Sequence, residues 1–179
     1  MSGTPASAPP PAADALVVRA GVEPDYAAVN DIYNHYVRTS AVTFETEAVG
    51  LAARASWFAK FAATGAFRLL VAEDNGGIVG FACSRPFRNR PAYATSVETS
   101  VYVDSHAQRR GAGGQLYDAL FAAIAREDLH RAYAALALPN DASVALHRKF
   151  GFRELAVLSE AGRKFGKYWD ILWMERALP

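Results

Sequence analysis

Cysteine occurs once, as Cys83, in a chain of 179 residues. A lone thiol excludes an intrachain disulfide framework and any zinc site built on several cysteines. In the apolar stretch Phe81-Ala82-Cys83 it reads as a small buried hydrophobe, not a nucleophile. No apolar run approaches the ~20 residues of a membrane span. Excess charge is also missing, since 19 basic residues face 18 acidic ones for a net +1. That balance excludes a generic polyanion binder or a basic membrane-surface protein, so neither nucleic acid nor membrane is expected as a partner. Internal repeats are absent. Of the nine prolines, four fall within the first 11 residues. The opening MSGTPASAPPPAADA has no basic n-region and no apolar h-region, so it does not read as a secretory signal. Residues 1–14 read as a flexible Pro/Ala-rich tail and residues 15–179 as one domain, expected in the cytoplasm.

Within that domain, strand and helix signals alternate. Residues 16–19 form a strand signal. After Pro24, Tyr26, Val29, Ile32, Tyr33, Tyr36 and Val37 recur at helical spacing, and residues 51–62 suggest a second helix with Trp57, Phe58 and Phe61. Residues 67–72 and 78–84 read as a hairpin about Asp74-Asn75-Gly76-Gly77. Residues 93–103 read as a long strand with Val97, Thr99, Val101 and Val103 on one face. A Gly-rich turn then opens a helix carrying Leu116, Leu120 and Ile124. A strand at 131–138, a helix at 140–150 stopped by Gly151, and two strands around the turn at 161–166 complete the chain. The order β-α-α-β-β-β-α-β-α-β-β describes a mixed α/β domain.

The most informative turn is Gln108-Arg109-Arg110-Gly111-Ala112-Gly113-Gly114, between a strand and a helix. Small residues let a ligand approach the backbone, and unpaired N–H groups at a helix N-terminus attract an anion. Arg109 and Arg110 add positive charge there. A nucleoside triphosphatase loop needs Lys-Ser or Lys-Thr next, where Gln115-Leu116 stands. A dinucleotide fold wants glycine at Leu116 and an acid ending the next strand, which here ends in Leu138-Pro139. Both nucleotide readings fail. Glu98 is a second unusual feature, a carboxylate in mid-strand among Val97, Thr99 and Val101. It faces either solvent or a cleft.

Gln-x-x-Gly-x-Gly between a long strand and a helix resembles the pyrophosphate loop of the GNAT N-acetyltransferases. The later order also matches: Asn140 opens a helix, and His147 stands four residues before Gly151-Phe152. The likeness extends over residues 16–176. Five further segments are similar to the phosphinothricin/methionine sulfoximine acetyltransferase branch. They are Thr43-Phe44-Glu45-Thr46-Glu47, Arg88-Asn89-Arg90-Pro91-Ala92-Tyr93, Val97-Glu98-Thr99-Ser100-Val101-Tyr102-Val103, Leu138-Pro139-Asn140-Asp141 and Gly162-Arg163-Lys164-Phe165-Gly166. The chain departs from some members at Phe165, where they carry His.

The resemblance implies a GNAT fold, a central, mostly antiparallel twisted sheet flanked by helices, with acetyl-CoA as co-substrate and no metal. It implies Glu98 as general base, directly or through a water. His147 is implied either to protonate the leaving thiolate or to assist deprotonation. The backbone of Val101, Tyr102 and Val103 is expected to pair with the pantetheine arm. Arg109, Arg110, Gly111, Ala112, Gly113 and Gly114 are expected at the pyrophosphate, with Asn140 and Ser143 as side-chain contacts. For the acceptor, the implied residues are Phe44 as a pocket wall, Arg88, Arg90 and Tyr93 as a clamp for acidic or polar oxygens, and Lys164. Arg85 belongs to the same basic cluster. The branch also resembles homodimers.

The expected activity is acetyl transfer to the α-amine of a small amino-acid-like acceptor, such as phosphinothricin, methionine sulfoximine or methionine sulfone. Attack is expected to be direct, since no nucleophilic Ser or Cys motif is present. Two other readings stay open at this level. One keeps the fold and changes the acceptor to another small amine or a protein N-terminus. The other is a CoA-binding sensor without turnover.

Overall fold

The computed structural model describes residues 16–107 and 111–179. The tail expected over residues 1–14 lies outside them. Eleven main elements follow in the expected order: β1 (Val17–Ala20), α1 (Tyr26–Thr39), α2 (Leu51–Phe58), β2 (Leu69–Asp74), β3 (Gly77–Pro86), β4 (Ser96–Val103), α3 (Ala112–Ile124), β5 (Arg131–Ala137), α4 (Asp141–Lys149), β6 (Arg153–Lys164) and β7 (Lys167–Ala177). They build a single seven-stranded sheet in the order β1-β2-β3-β4-β5-β7-β6. Every pairing is antiparallel except that of β4 with β5.

Local chemistry sets the boundaries. The helix expected over 51–62 stops at Phe58, because Gly65 and a run of bends return the chain toward β2. The long strand expected from 93 starts at Ser96, since Pro91 opens a short 3-10 turn over Pro91–Tyr93. The β2–β3 hairpin turns through Asn75 and Gly76, both at positive φ, as the Asn-Gly pair favours.

Side-chain alternation divides the core between the two faces of the sheet. On one face Val29 and Ile32 of α1 and Phe58 of α2 pack on Val71, Phe81 and Cys83. On the other, Leu116, Tyr117 and Leu120 of α3 cover Leu70, Ala72 and Ala82. Val97, Ala132, Ala134, Leu136, Leu172 and Met174 continue that second layer beneath Ile124 and Val144. Gly80 is a packing glycine: a Cβ there would meet Tyr102 O at 2.9 Å and Leu116 Cδ1 at 3.2 Å. Cys83 is buried and burial raises its thiol pKa to about 11, in keeping with an unreactive core residue.

The feature that creates a site is the β4–β5 pairing. It runs only from Ser96 to Glu98, opposite Arg131 to Tyr133. Beyond Glu98 the strands part. β5 continues against β7 as far as Ala137, while β4 continues to Val103 against β3 alone.

Candidate active site

On the α1/α2 face, an open cleft of about 400 Å³ lies where β4 and β5 separate. Glu98, Ser100 and Tyr102 line it from β4, and Ala135 and Ala137 from β5. Glu98 is the last β4 residue with a β5 partner, so its side chain stands at the apex of the split. Its carboxylate accepts a hydrogen bond from Arg85 Nη2 at 2.5 Å, and its side chain is 15 % exposed. Arg85 and Glu98 are directly opposed in the β3–β4 register, which puts both side chains on one face. Period-two counting from Phe81 and Cys83 is the signal that places Arg85 there, apart from the rest of its basic cluster.

Phe44 and Glu45 form another wall. The loop that carries them is tied at three points. Lys164 Nζ donates to Thr43 O at 2.7 Å, and Tyr33 Oη and Thr43 Oγ1 share a hydrogen bond at 2.6 Å. Phe44 lies against the bare α-carbon of Gly162, where any Cβ would overlap its ring. Lys164 is buried, with its ammonium spent on this loop, and burial lowers its pKa. It therefore positions the loop and does not itself line the cleft.

Arg88, Arg90 and Tyr93 also stay out of the cleft lining. The Arg88 guanidinium covers Phe87 at 4.4 Å and Trp173 at 5.5 Å. Phe87 stacks on Tyr133 at 4.1 Å, and Tyr93 meets its edge at 5.7 Å. Tyr133 is the register partner of Glu98. The basic segment thus sits beside the apex, on an aromatic cluster, with Arg90 and Tyr93 exposed.

The opposite wall of the split suits an extended, anionic ligand. From Thr99 to Val103 the β5 side of β4 has no strand partner among the described residues. The carbonyl of Val103 accepts from Tyr36 Oη at 2.5 Å. Tyr102 turns its ring to the acceptor side, stacked on Phe81 at 5.2 Å. Gly111 precedes α3 at φ 80°, a left-handed conformation, and no side chain among the described residues caps that helix. A Cβ on Gly113 would lie 3.3 Å from Leu146 Cδ2, so glycine lets α3 close on α4. Lys149 Nζ approaches to 3.9 Å of a Cβ built on Gly114. This cation at the helix start escaped the sequence reading, because only the fold brings α4 beside it. Arg109 and Arg110 lie outside the described residues. Asn140 caps α4, its Oδ1 accepting from Ser143 N at 3.3 Å. That leaves the amide Nδ2 for a ligand. Among the described residues no cluster of three or more His, Cys, Asp or Glu could hold a metal, and no helix is long and apolar enough to cross a membrane.

His147 is not delivered to the cleft. It is 3 % exposed. Its Nδ1 lies 2.7 Å from the Ser143 carbonyl and therefore donates, so Nε2 accepts from Tyr117 Oη at 2.8 Å. The Tyr117 hydroxyl in turn meets Thr99 Oγ1 at 3.4 Å. Both ring nitrogens are engaged, and burial lowers the imidazole pKa. The residue behaves as a neutral link between α3, α4 and β4.

Known proteins are similar to this chain in sequence and fold. The profile of the acetyltransferase (GNAT) family matches residues 29–152. The phosphinothricin N-acetyltransferase of Streptomyces coelicolor is 52 % identical over 163 residues, covering 90 % of this chain and 95 % of that protein. The L-methionine sulfoximine/L-methionine sulfone acetyltransferase of Salmonella typhimurium is 31 % identical, over 91 % of this chain and 95 % of its own. A phosphinothricin acetyltransferase from Sinorhizobium meliloti, crystallised with acetyl-CoA, superposes with a TM-score of 0.86 at 29 % identity, covering 91 % of this chain and 88 % of that one. The chain belongs to the GNAT acetyltransferase family. It is an acetyl-CoA-dependent N-acetyltransferase with the expected α/β fold.

Two outcomes follow from this geometry. Gly162→Ala forces Phe44 to move, so the KM for the acceptor rises while the KM for acetyl-CoA holds; an unchanged acceptor KM would remove Phe44 as a pocket wall. The second concerns His147, whose pKa in the folded state is held below the ordinary 6.5. The unfolded chain then binds the extra proton, so its stabilising effect is complete above pH 6.5 and is lost as pH falls toward the lowered value. The melting temperature should decline more steeply below that pH in the wild type than in His147→Gln, and equal slopes would exonerate His147.

Proposed function

We propose that the chain acetylates the α-amine of a small amino-acid-like acceptor of the phosphinothricin/methionine sulfoximine type, by direct attack with Glu98 as the general base. The observation that carries this reading is the Glu98 carboxylate at the apex of the β4–β5 split, facing the cleft. The names of the similar enzymes support the acceptor class.

An α-ammonium is mostly protonated at neutral pH and must lose a proton to attack. Glu98, facing the cleft and held by Arg85, can take that proton directly or through a water. Acetyl-CoA supplies the activated acyl group. The free edge of β4 over 101–103 suits the pantetheine arm as an added strand. The uncapped start of α3, with Lys149 beside it, suits the pyrophosphate. Nδ2 of Asn140 and the Ser143 hydroxyl, at the start of α4, are the further side-chain contacts of this reading. A buried His147 serves this reading as a positioning residue behind the split and supplies no proton.

Thiol release from acetyl-CoA, measured over a panel of amines, tests the proposal. Phosphinothricin and methionine sulfone should be turned over. Glu98→Gln should lose about 10²-fold or more in kcat, the usual scale for a general base, with CoA binding intact. Full activity in that variant would remove Glu98 as the base. Tight CoA binding with no amine turned over would favour a sensor.

We further propose a cytoplasmic homodimer that uses the outer hairpin. β6 is an edge strand of the sheet. Leu155, Val157 and Leu158 on it are 43–50 % exposed, and Phe165 and Tyr168 at the turn are 55 % and 60 % exposed. Apolar side chains on an open edge call for a partner. Sedimentation should give a dimer for the wild type and a monomer for the double variant Val157→Asp, Leu158→Asp; a monomeric wild type would refute the assignment.

A further inference from the structure

Behind the open cleft lies a second, smaller chamber of about 180 Å³. Tyr33, Glu45, Arg85, Ser100 and Tyr102 line both spaces, so the two adjoin. What the chamber adds is Arg54 and Trp57 of α2. Arg54 is 4 % exposed. Its one side-chain hydrogen bond among the described residues is from Nε to Asn30 Oδ1 at 3.0 Å. The rings of Tyr33 and Trp57 sit 4.5 Å and 4.6 Å from its guanidinium carbon. The terminal nitrogens have no partner among the described residues, and no carboxylate pairs with them.

That isolation sets Arg54 apart. The other deeply buried ions of the fold are satisfied: Asp25 by Arg19, Glu175 by Arg153, and Lys164 by the Thr43 carbonyl. Among the described residues no sealed side-chain nitrogen lacks a partner, so the free terminal nitrogens of this otherwise buried residue open onto the chamber. Burial lowers the Arg54 pKa, with Glu45 too weak an influence to offset it. The guanidinium is also preorganised. Asn30 fixes one edge and two aromatic rings fix its plane, which leaves the terminal fork for a ligand.

We propose that this chamber is an anion subsite for the acceptor, in which the terminal N–H groups of Arg54 pair with an oxyanion of the carboxylate or phosphinate class. The acceptor's amine is then left in the outer cleft beside Glu98. Size supports the division. At about 180 Å³ the chamber holds several water volumes of ~30 Å³. It falls short of the ~300 Å³ at which complete ligand pockets begin. It therefore takes one end of the acceptor, and the cleft takes the rest. This inference rests on the acceptor class proposed above.

The test needs a readout that a merely structural arginine would not move. Acetyl transfer by the wild type, Arg54→Gln and Arg54→Lys is measured with phosphinothricin, methionine sulfone and the α-amide of methionine sulfone, which has no oxyanion. Arg54→Gln should lower kcat/KM for the anionic acceptors by about 30-fold or more, the usual result of stripping one partner from a buried charge pair. Arg54→Lys should recover part of that loss. The amide should change little. A loss confined to phosphinothricin assigns the phosphinate to the chamber, and an equal loss for both acids assigns the α-carboxylate. An equal loss for the acids and the amide overturns the subsite. Turnover is not required for the second arm. Methylphosphinate and acetate are titrated into the CoA-free protein while tryptophan fluorescence reports on Trp57. Saturable binding should appear in the wild type and in Glu98→Gln, and vanish in Arg54→Gln. Anion binding through Arg54 in a protein that acetylates no amine would leave the subsite standing and reject the acceptor reading. Normal turnover with neither anion binding nor a selectivity change in Arg54→Gln would do the reverse.

Discussion

Three residue pairs join β4 to β5, and the candidate site lies where that pairing ends. A parallel ladder that continued past Glu98 would consume the β4 edge and close the cleft. The split is sustained from behind by a hydrogen-bonded line running from Thr99 through Tyr117 and His147 to Ser143. Tyr117 is fully buried and ringed by Phe121, His147, Phe150 and Phe152. Polar groups at such depth keep one arrangement, because losing a partner leaves a desolvated donor or acceptor that costs about 1–3 kcal/mol. The line thus fixes α3 and α4 relative to β4. Those helices bring the uncapped α3 start, Lys149 and Asn140 to one side of the split. The other side is left to Glu98.

Charge is distributed with similar economy. A net charge of +1 says little about where anions go. Arg19 and Arg153 are neutralised locally by Asp25, Glu73 and Glu175. Arg85 is held by Glu98, which orients the carboxylate into the cleft. Arg88 is laid over aromatic rings. Two cations among the described residues without a carboxylate partner stand near the split, Lys149 at the α3 start and Arg54 in the chamber. These stand on opposite sides of the same strand, β4. The proposed reaction, which joins a polyanionic donor to an anionic acceptor, is served by such an arrangement. Each positive site draws its ligand's charge away from the apex, where an amine and a thioester must meet.

The fold was legible in the sequence because its signals are local. Asn75-Gly76 specifies a hairpin, Gly111 starts α3, and Asn140 caps α4, whereas the short turn at Pro91 that delays β4 to Ser96 went unread. Alternation along residues 97–103 identified the odd position of Glu98. The site was legible only where a motif carried it. Three candidates behaved differently once packing was resolved. His147 is absorbed by Tyr117, Lys164 by the Thr43 carbonyl, and Arg88 by Phe87 and Trp173. A polar side chain in a motif has no visible partner in one dimension, so ligand and neighbour look alike. Arg54 shows the converse. On the sequence it is one arginine in an alanine-rich helix, and only the crossing of α1 over α2 buries it between Tyr33 and Trp57. Lys149 likewise reaches the α3 start through helix packing alone.

The acceptor side has a further property that follows from how it is tied. The loop carrying Phe44 and Glu45 makes its main anchors not to the sheet centre but to the outer hairpin, through Lys164 and Gly162 of β6. That strand is the sheet's edge and bears the exposed apolar residues proposed to meet a second copy. An edge strand with an unpaired side is the least constrained part of a sheet. Covering it would restrict Lys164 and Gly162, and through them the wall of the cleft. In this arrangement association and acceptor recognition draw on the same hairpin. In the sheet, Glu98 is separated from β6 by β5 and β7. On the proposed reading, the Phe44 wall is thus set by the sheet's rim, while Arg54 and the α3 start are set by the buried core.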